Sequence, residues 1–165
     1  MKIGVLSDTH IPQRAKHLPQ ALLKGLQDVD YMIHAGDWVS LSVYRILKKY
    51  GPVEGVAGNC DGEDIISKFG KKKILQLEGF RIGVMHGEGM KKTTEKRVWD
   101  AFAGDKVDLV IFGHTHIPVC KRHKGVWMFN PGSPTDKRRQ ARYSFGIVTL
   151  GDEIRAEHVF FDDRH

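Results

Sequence analysis

Five times along this chain of 165 residues, a short apolar run stops at a cluster of aspartate, asparagine, histidine and glycine. The clusters are Ser7-Asp8-Thr9-His10, His34-Ala35-Gly36-Asp37, Gly58-Asn59-Cys60-Asp61, Met85-His86-Gly87 and Gly113-His114-Thr115-His116. The runs Ile3–Ser7, Tyr31–His34, Val53–Ala57 and Leu109–Phe112 are short and mostly apolar, the pattern of strands covered on both faces. Polar groups at the carboxyl ends of neighbouring strands converge in space however far apart they lie in sequence. The pattern therefore predicts one polar site along the strand ends of an α/β fold. Asp8 and His10 are two residues apart, as are His114 and His116. In extended backbone that spacing puts both side chains on one side.

Between these runs the period changes. Leu18, Ala21, Leu22 and Leu26 mark one helical face, and Val43, Ile46, Leu47 and Tyr50 a second. Val98, Ala101 and Phe102 mark a shorter third. Three hairpins are expected: Ile74–Leu77 with Phe80–Met85, Val119–His123 with Val126–Phe129, and Phe145–Leu150 with Ile154–Phe160. Their turns are Glu78-Gly79, Lys124-Gly125 and Gly151-Asp152. Helix crossovers combined with hairpins predict two mixed sheets packed together, with helices outside.

A length of 165 residues without a linker or repeat is read as one domain, 1–165. Hydrophobic residues at 41% and charged residues at 28% exclude a disordered chain. No apolar run approaches the ~20 residues that cross a bilayer, and no membrane partner is expected. Met1–Ser7 runs directly into Asp8 without a cleavage signal and is read as a strand, not a signal peptide. Cys60 and Cys120 are too few for a disulfide framework, so reduced thiols and a cytoplasmic location are expected. A formal charge of +6 permits nucleic acid or a small phosphate-bearing substrate without choosing between them. A homo-oligomer stays open.

Carboxylate, imidazole and amide oxygen together suit a borderline divalent ion such as Mn, Fe, Ni or Zn better than calcium or a thiolate-held zinc. One D-x-H or H-x-H alone is an ordinary strand-end turn. Five such clusters in order, each at a strand end, are not.

The ordered set D-x-H, G-D, G-N-x-D, H-G and G-H-T-H resembles the calcineurin-like metallophosphoesterase superfamily. The short chain and the trailing Asn130-Pro131-Gly132-Ser133 resemble its small bacterial and archaeal phosphodiesterase branch, related in fold to the retromer small subunit. The resemblance runs from Asp8 to about Ser133 and implies a four-layer α/β/β/α sandwich. It implies two divalent ions, with manganese expected to serve best in vitro and nickel, iron or zinc as alternatives. Asp8, His10, Asp37 and His116 would hold one ion. Asp37 would bridge to the other, which takes Asn59, His86 and His114. The implied activity is hydrolysis of a small phosphate ester, a phosphodiester above all, by a metal-bridging hydroxide, with Asp37, Asn59 and His86 at the reacting centre. Two divalent ions set against two carboxylates and a hydroxide leave a charge of about +1, matched to a phosphate ester.

Cys60 departs from the pattern. Many members of the superfamily have histidine there, assisting the leaving group. Cys60 or Asp61 could supply the proton instead, and Cys60 could equally be a filler beside the site. Two other functions compete: a non-catalytic scaffold, the role of the retromer small subunit, and a nuclease-like enzyme acting on nucleic acid. Retention of every ligand argues against the first. No nucleic-acid module is present to support the second.

Further residues have two readings each. Lys137, Arg138, Arg139 and Arg142 could bind phosphate or form a solvated loop. Lys91 and Lys92 could line a groove, and Lys71-Lys72-Lys73 could blunt a strand edge. Asn130 and His34 are candidates to orient the ligand loops. Trp38 could stack on a substrate base or sugar but reads first as packing, and His17, His123, His158 and His165 read as surface.

Overall fold

The computed structural model describes residues 1–165. Its first half runs β1 (Lys2–Leu6), α1 (Gln20–Gly25), β2 (Tyr31–His34), α2 (Leu41–Leu47), β3 (Val53–Gly55), α3 (Glu63–Phe69) and β4 (Lys72–Leu77). There follow β5 (Phe80–Met85), α4 (Thr94–Ala101), β6 (Leu109–Ile111), β7 (Val119–His123), β8 (Val126–Asn130), β9 (Tyr143–Leu150) and β10 (Ile154–Phe161). One sheet has the order β10-β9-β1-β2-β3, the other β4-β5-β6-β8-β7. Both are mixed: β1-β2-β3 and β5-β6-β8 are parallel, and β4, β7, β9 and β10 are antiparallel to their neighbours.

Alternation along the strands builds the layers. Ile3, Val5 and Ile33 of the first sheet meet Ile82, Val84, Leu109, Ile111 and Phe129 of the second in a core between the sheets. Leu6 and Met32 point the other way, onto Leu22, Leu26, Val43, Leu47, Ile65 and Phe69 of the first three helices and their flanks. Val110, Phe112 and Met128 cover Val98 and Phe102 on the far side. The result is the expected four-layer α/β/β/α arrangement.

Local chemistry sets the helix starts. The Ser40 hydroxyl accepts the Ser42 N–H at 3.1 Å ahead of α2, and Thr93 Oγ1 accepts the Lys96 N–H at 3.2 Å ahead of α4. The three expected hairpins form, with the expected partners. The structure corrects the reading in two places. α3 was not anticipated, because seven residues burying Ile65 and Phe69 are too short to show a period. α4 starts at Thr94, ahead of the face beginning at Val98, because the Thr93 cap lies among charged residues. The carboxyl ends of β1, β2, β3, β5 and β6 lead directly into the five polar clusters.

Candidate metal centre

Five side chains from four clusters close on one point. His86 Nε2 lies 3.1 Å from Asp37 Oδ2 and 3.6 Å from Asp8 Oδ1. His116 Nε2 is 3.5 Å from Asp8 Oδ1, and His10 Nε2 is 3.4 Å from Asp37 Oδ2. Asp8 Oδ1 and the Nε2 atoms of His10, His86 and His116 are buried without a hydrogen-bond partner. Each orphaned buried polar atom costs about 1–3 kcal/mol, so four aimed together call for a common partner. Donors bound to one cation at about 2.0–2.2 Å stand about 3–3.6 Å apart, close to the spacing seen. The donor set fits a divalent cation.

The rings are oriented for that. His86 Nδ1 donates to the Ala35 carbonyl at 2.8 Å, and His116 Nδ1 donates to the Asp136 carbonyl. With Nδ1 held as the donor, each ring turns its Nε2 toward the centre. Burial opposes a charge on His86, yet the Asp37 and Asp8 carboxylates outweigh it and lift its pKa to about 9. Burial also resists charge on Asp37, but contact with His86, the Cys60 N–H and His10 holds its carboxyl well below the usual range.

A second donor group lies beside the first. Asn59 Oδ1 and His114 Nδ1 are 3.2 Å apart, and the His114 ring stands edge-on to His86 with centroids 5.3 Å apart. Both side chains are more exposed than the buried set. The Cys60 N–H donates to Asp37 Oδ1 at 2.9 Å. The Cys60 thiol is exposed, with Sγ within 4.8 Å of donor atoms of His10 and Asp37. Burial of the thiol, then the charges of Asp37, Asp61 and Asp8, push its pKa up to about 11. Asp61 faces backbone: Oδ2 accepts the Asp37 and Gly58 N–H groups at 2.8 and 2.7 Å, and Oδ1 accepts that of Val39 at 2.7 Å.

The i, i+2 pairs do not converge through extended backbone. Asp8, His10, Asp37, His114 and His116 all have positive φ, between 45° and 74°. Such left-handed non-glycine residues cost about 1–3 kcal/mol each and persist where the surroundings over-determine them. Here buried hydroxyls and amides do so. Ser133 Oγ donates to the Asp8 carbonyl at 2.8 Å and Thr135 Oγ1 to that of Thr9 at 2.7 Å. Asn130 Nδ2 donates to the Gly113 carbonyl at 3.1 Å. Two glycines admit the close approach this requires. A Cβ on Gly58 would stand 2.2 Å from Asp37 Oδ1, and one on Gly113 2.0 Å from Ser7 Oγ.

His34 ties two ligand loops together. Its Nδ1 accepts the Gly36 N–H at 3.1 Å, so its Nε2–H donates to Thr9 Oγ1, also at 3.1 Å. Burial pushes its pKa down to about 3, so the ring is neutral at ordinary pH. The ring stacks on Trp38 at 3.8 Å, and Trp38 stacks in turn on Phe69 at 4.6 Å. Replacing His34 with Ala is expected to lower stability by about 2–4 kcal/mol, because it opens a cavity and orphans the Gly36 N–H. Denaturant unfolding measures this directly; a loss below about 1 kcal/mol would contradict it.

The remaining candidates separate. Trp38 is packing, fully buried. Arg142 is paired with Asp162 at 2.9 Å, Lys72 with Asp105 at 3.2 Å, Lys73 with Glu54 at 2.8 Å and Lys92 with Asp100 at 2.7 Å. His17, His123 and His165 are exposed as expected. His158 is not a free surface group: it is half-buried, stacks on Phe129 at 4.5 Å and contacts the Asn130 carbonyl at 2.7 Å. Nothing in the sequence singles out Thr135 or the Asp136 carbonyl, which support the site through His116 and the Asp8 loop. No helix is long and apolar enough to cross a membrane.

A two-sheet sandwich with this aspartate–histidine centre defines a class, and comparison with known proteins gives its name. Residues 1–153 match the calcineurin-like phosphoesterase superfamily domain, and the chain belongs to that superfamily. A probable metallophosphoesterase of Methanothermobacter thermautotrophicus is 39% identical over 161 residues, covering 96% of this chain and 92% of that one. A phosphodiesterase of Methanocaldococcus jannaschii is 29% identical over 168 residues, covering 92% and 91%. In fold, the chain is similar to the crystal structure of Vps29 from Entamoeba histolytica complexed with zinc, with TM-score 0.79, 24% identity and coverage of 98% and 100%.

Proposed function

We propose that this chain is a metal-dependent phosphodiesterase with a two-metal centre. The observation that carries the metal-dependent reading is the convergence of four buried, unpartnered donor atoms, Asp8 Oδ1 and the Nε2 atoms of His10, His86 and His116. Asn59 and His114 beside them support a second ion. Asp8, His10, His116 and Asp37 supply one shell; Asp37, Asn59, His86 and His114 supply the other. Divalent ions held there would polarise phosphoryl oxygens and make hydroxide available near neutral pH. The chain's own part is to orient that chemistry. Ala35 and Asp136 fix two ring tautomers through their carbonyls, and the Cys60 N–H fixes Asp37 Oδ1. Asp61 holds the backbone of the Asp37 and Gly58 turns, which makes it a positioning residue.

The name of the Methanocaldococcus relative supports a diester substrate, and the zinc complex of the Vps29 neighbour supports a divalent ion in such a fold. Manganese or nickel is the expected activator. Two exposed free cysteines, Cys60 and Cys120, agree with a reducing compartment such as the cytoplasm. A scaffold role is disfavoured because the sequence keeps all seven donor residues and five of them close on one point.

Chelation is expected to abolish hydrolysis of bis(p-nitrophenyl) phosphate, and manganese or nickel to restore it. Elemental analysis of the reconstituted protein should find two equivalents at full activity. Full activity at one equivalent would refute the two-metal centre; no diester hydrolysis with any of Mn, Ni, Fe or Zn would refute the enzyme.

A further inference from the structure

The turn that follows His10 builds a basic cavity. Its volume is about 390 Å³, and Gln13, Arg14, Lys16, His17, Arg164 and His165 are among the residues that line it. No aspartate or glutamate side chain lines it. Arg164 is held in place: one guanidinium nitrogen donates to the Arg14 carbonyl at 2.8 Å and to the Thr135 carbonyl at 3.0 Å. Its charge has no carboxylate partner. Arg14 reaches Asp136 Oδ2 at 3.8 Å, and Lys16 and His17 form no ion pair. The neighbouring Asp163 is turned onto the His165 N–H at 2.8 Å.

The cavity adjoins the metal centre. The Arg14 N–H donates to the His10 carbonyl at 2.7 Å, which ties the cavity wall to a ligand residue. His116 Nδ1 lies 3.9 Å from the same Asp136 oxygen that Arg14 approaches, so Arg14 Nε and His116 Nδ1 are at most about 8 Å apart. The His116 ring stands between that Nδ1 and the centre its Nε2 faces. An arm must therefore span the ring as well, the reach of a sugar with a phosphate at each end.

We propose that this cavity receives a second phosphate, carried on one arm of the diester whose scissile phosphate sits at the Asp8–Asp37 centre. The inference rests on the phosphodiesterase reading and names its substrate class: phosphodiesters of a nucleoside or similar alcohol bearing a further terminal phosphate. Arginine and lysine recognise such a group through charge-assisted hydrogen bonds, and Arg164 is already fixed for it. Arg14 and Lys16 are exposed, so salt screens their share over a Debye length of about 10 Å at 0.1 M.

The test compares two chromogenic esters, the p-nitrophenyl ester of thymidine 5′-phosphate with and without a 3′-phosphate. The wild-type kcat/KM ratio should favour the 3′-phosphorylated ester by ~10-fold or more, mostly in KM, and decline with added salt. Arg14→Gln and Lys16→Ala should each pull the ratio toward one; Lys124→Ala, on a distant hairpin turn, should not. A wild-type ratio near one, or a ratio unmoved by both variants, overturns the proposal. If neither ester turns over, the phosphodiesterase reading has failed, and calorimetry on the metal-free chain decides the cavity separately. Tighter binding of thymidine 3′,5′-bisphosphate than of thymidine 5′-phosphate, lost in both variants, supports it; equal binding overturns it.

Discussion

Asp37→Asn is expected to lower turnover by ~10³-fold or more while leaving the fold intact. Asp37 is the one side chain that both shells share in the proposed centre. Its Oδ2 faces His10 Nε2 at 3.4 Å and His86 Nε2 at 3.1 Å, whereas its Oδ1 takes the Cys60 N–H. An amide can keep the Oδ1 bond but puts an uncharged NH2 where Oδ2 faces His10 and His86. One negative charge and one donor atom disappear together. The second ion, held otherwise by neutral Asn59, His86 and His114, should be lost first. Elemental analysis and turnover on bis(p-nitrophenyl) phosphate measure both effects, and the far-ultraviolet circular dichroism should not change. A variant that keeps two ions and near wild-type turnover would remove Asp37 from the bridge.

The left-handed ligand residues explain why the site was partly legible in the sequence. Aspartate and histidine beside glycine at the end of an apolar run form a side-chain signal, and all five clusters lie at strand ends as that signal required. What carries no signal is the backbone that aims them. Nothing in the pair Asp8 and His10 distinguishes an extended D-x-H from one with φ of 58° and 45°. The supports are equally silent. Thr135 acts through the Thr9 carbonyl 126 residues away, and His116 is oriented by a main-chain oxygen of Asp136 that any residue could supply. Asn130 and His34 stood out because they flank recognisable turns. The layers were legible because Ile3 and Leu6, or Val110 and Ile111, alternate between two apolar surroundings. α3 fell below the length at which periodicity speaks.

Cys60 leads to a prediction of comparable size. Diesters with a nitrophenolate leaving group should be cleaved ~10²–10⁴-fold faster than alkyl diesters, the range that a positioned proton donor ordinarily supplies. A nitrophenolate departs as a stable anion, whereas an alkoxide requires a proton. At the position where the superfamily pattern often places histidine, this chain has Cys60, a thiol without positive charge. Asp61 is no substitute: three backbone N–H groups engage its two oxygens, leaving it poorly placed to deliver a proton. Cys60→Ala should therefore leave nitrophenyl ester turnover nearly unchanged, since the N–H that holds Asp37 Oδ1 belongs to the main chain and survives the change. Cys60→His should raise activity on alkyl esters selectively, because it adds a donor whose usual pKa is near 6.5. The measurement is log kcat/KM against leaving-group pKa for wild type and Cys60→His. Wild type should give a steep line and the histidine variant a shallower one. A flat wild-type line would mean that a proton donor already acts, and the inference from Cys60 would fall with it.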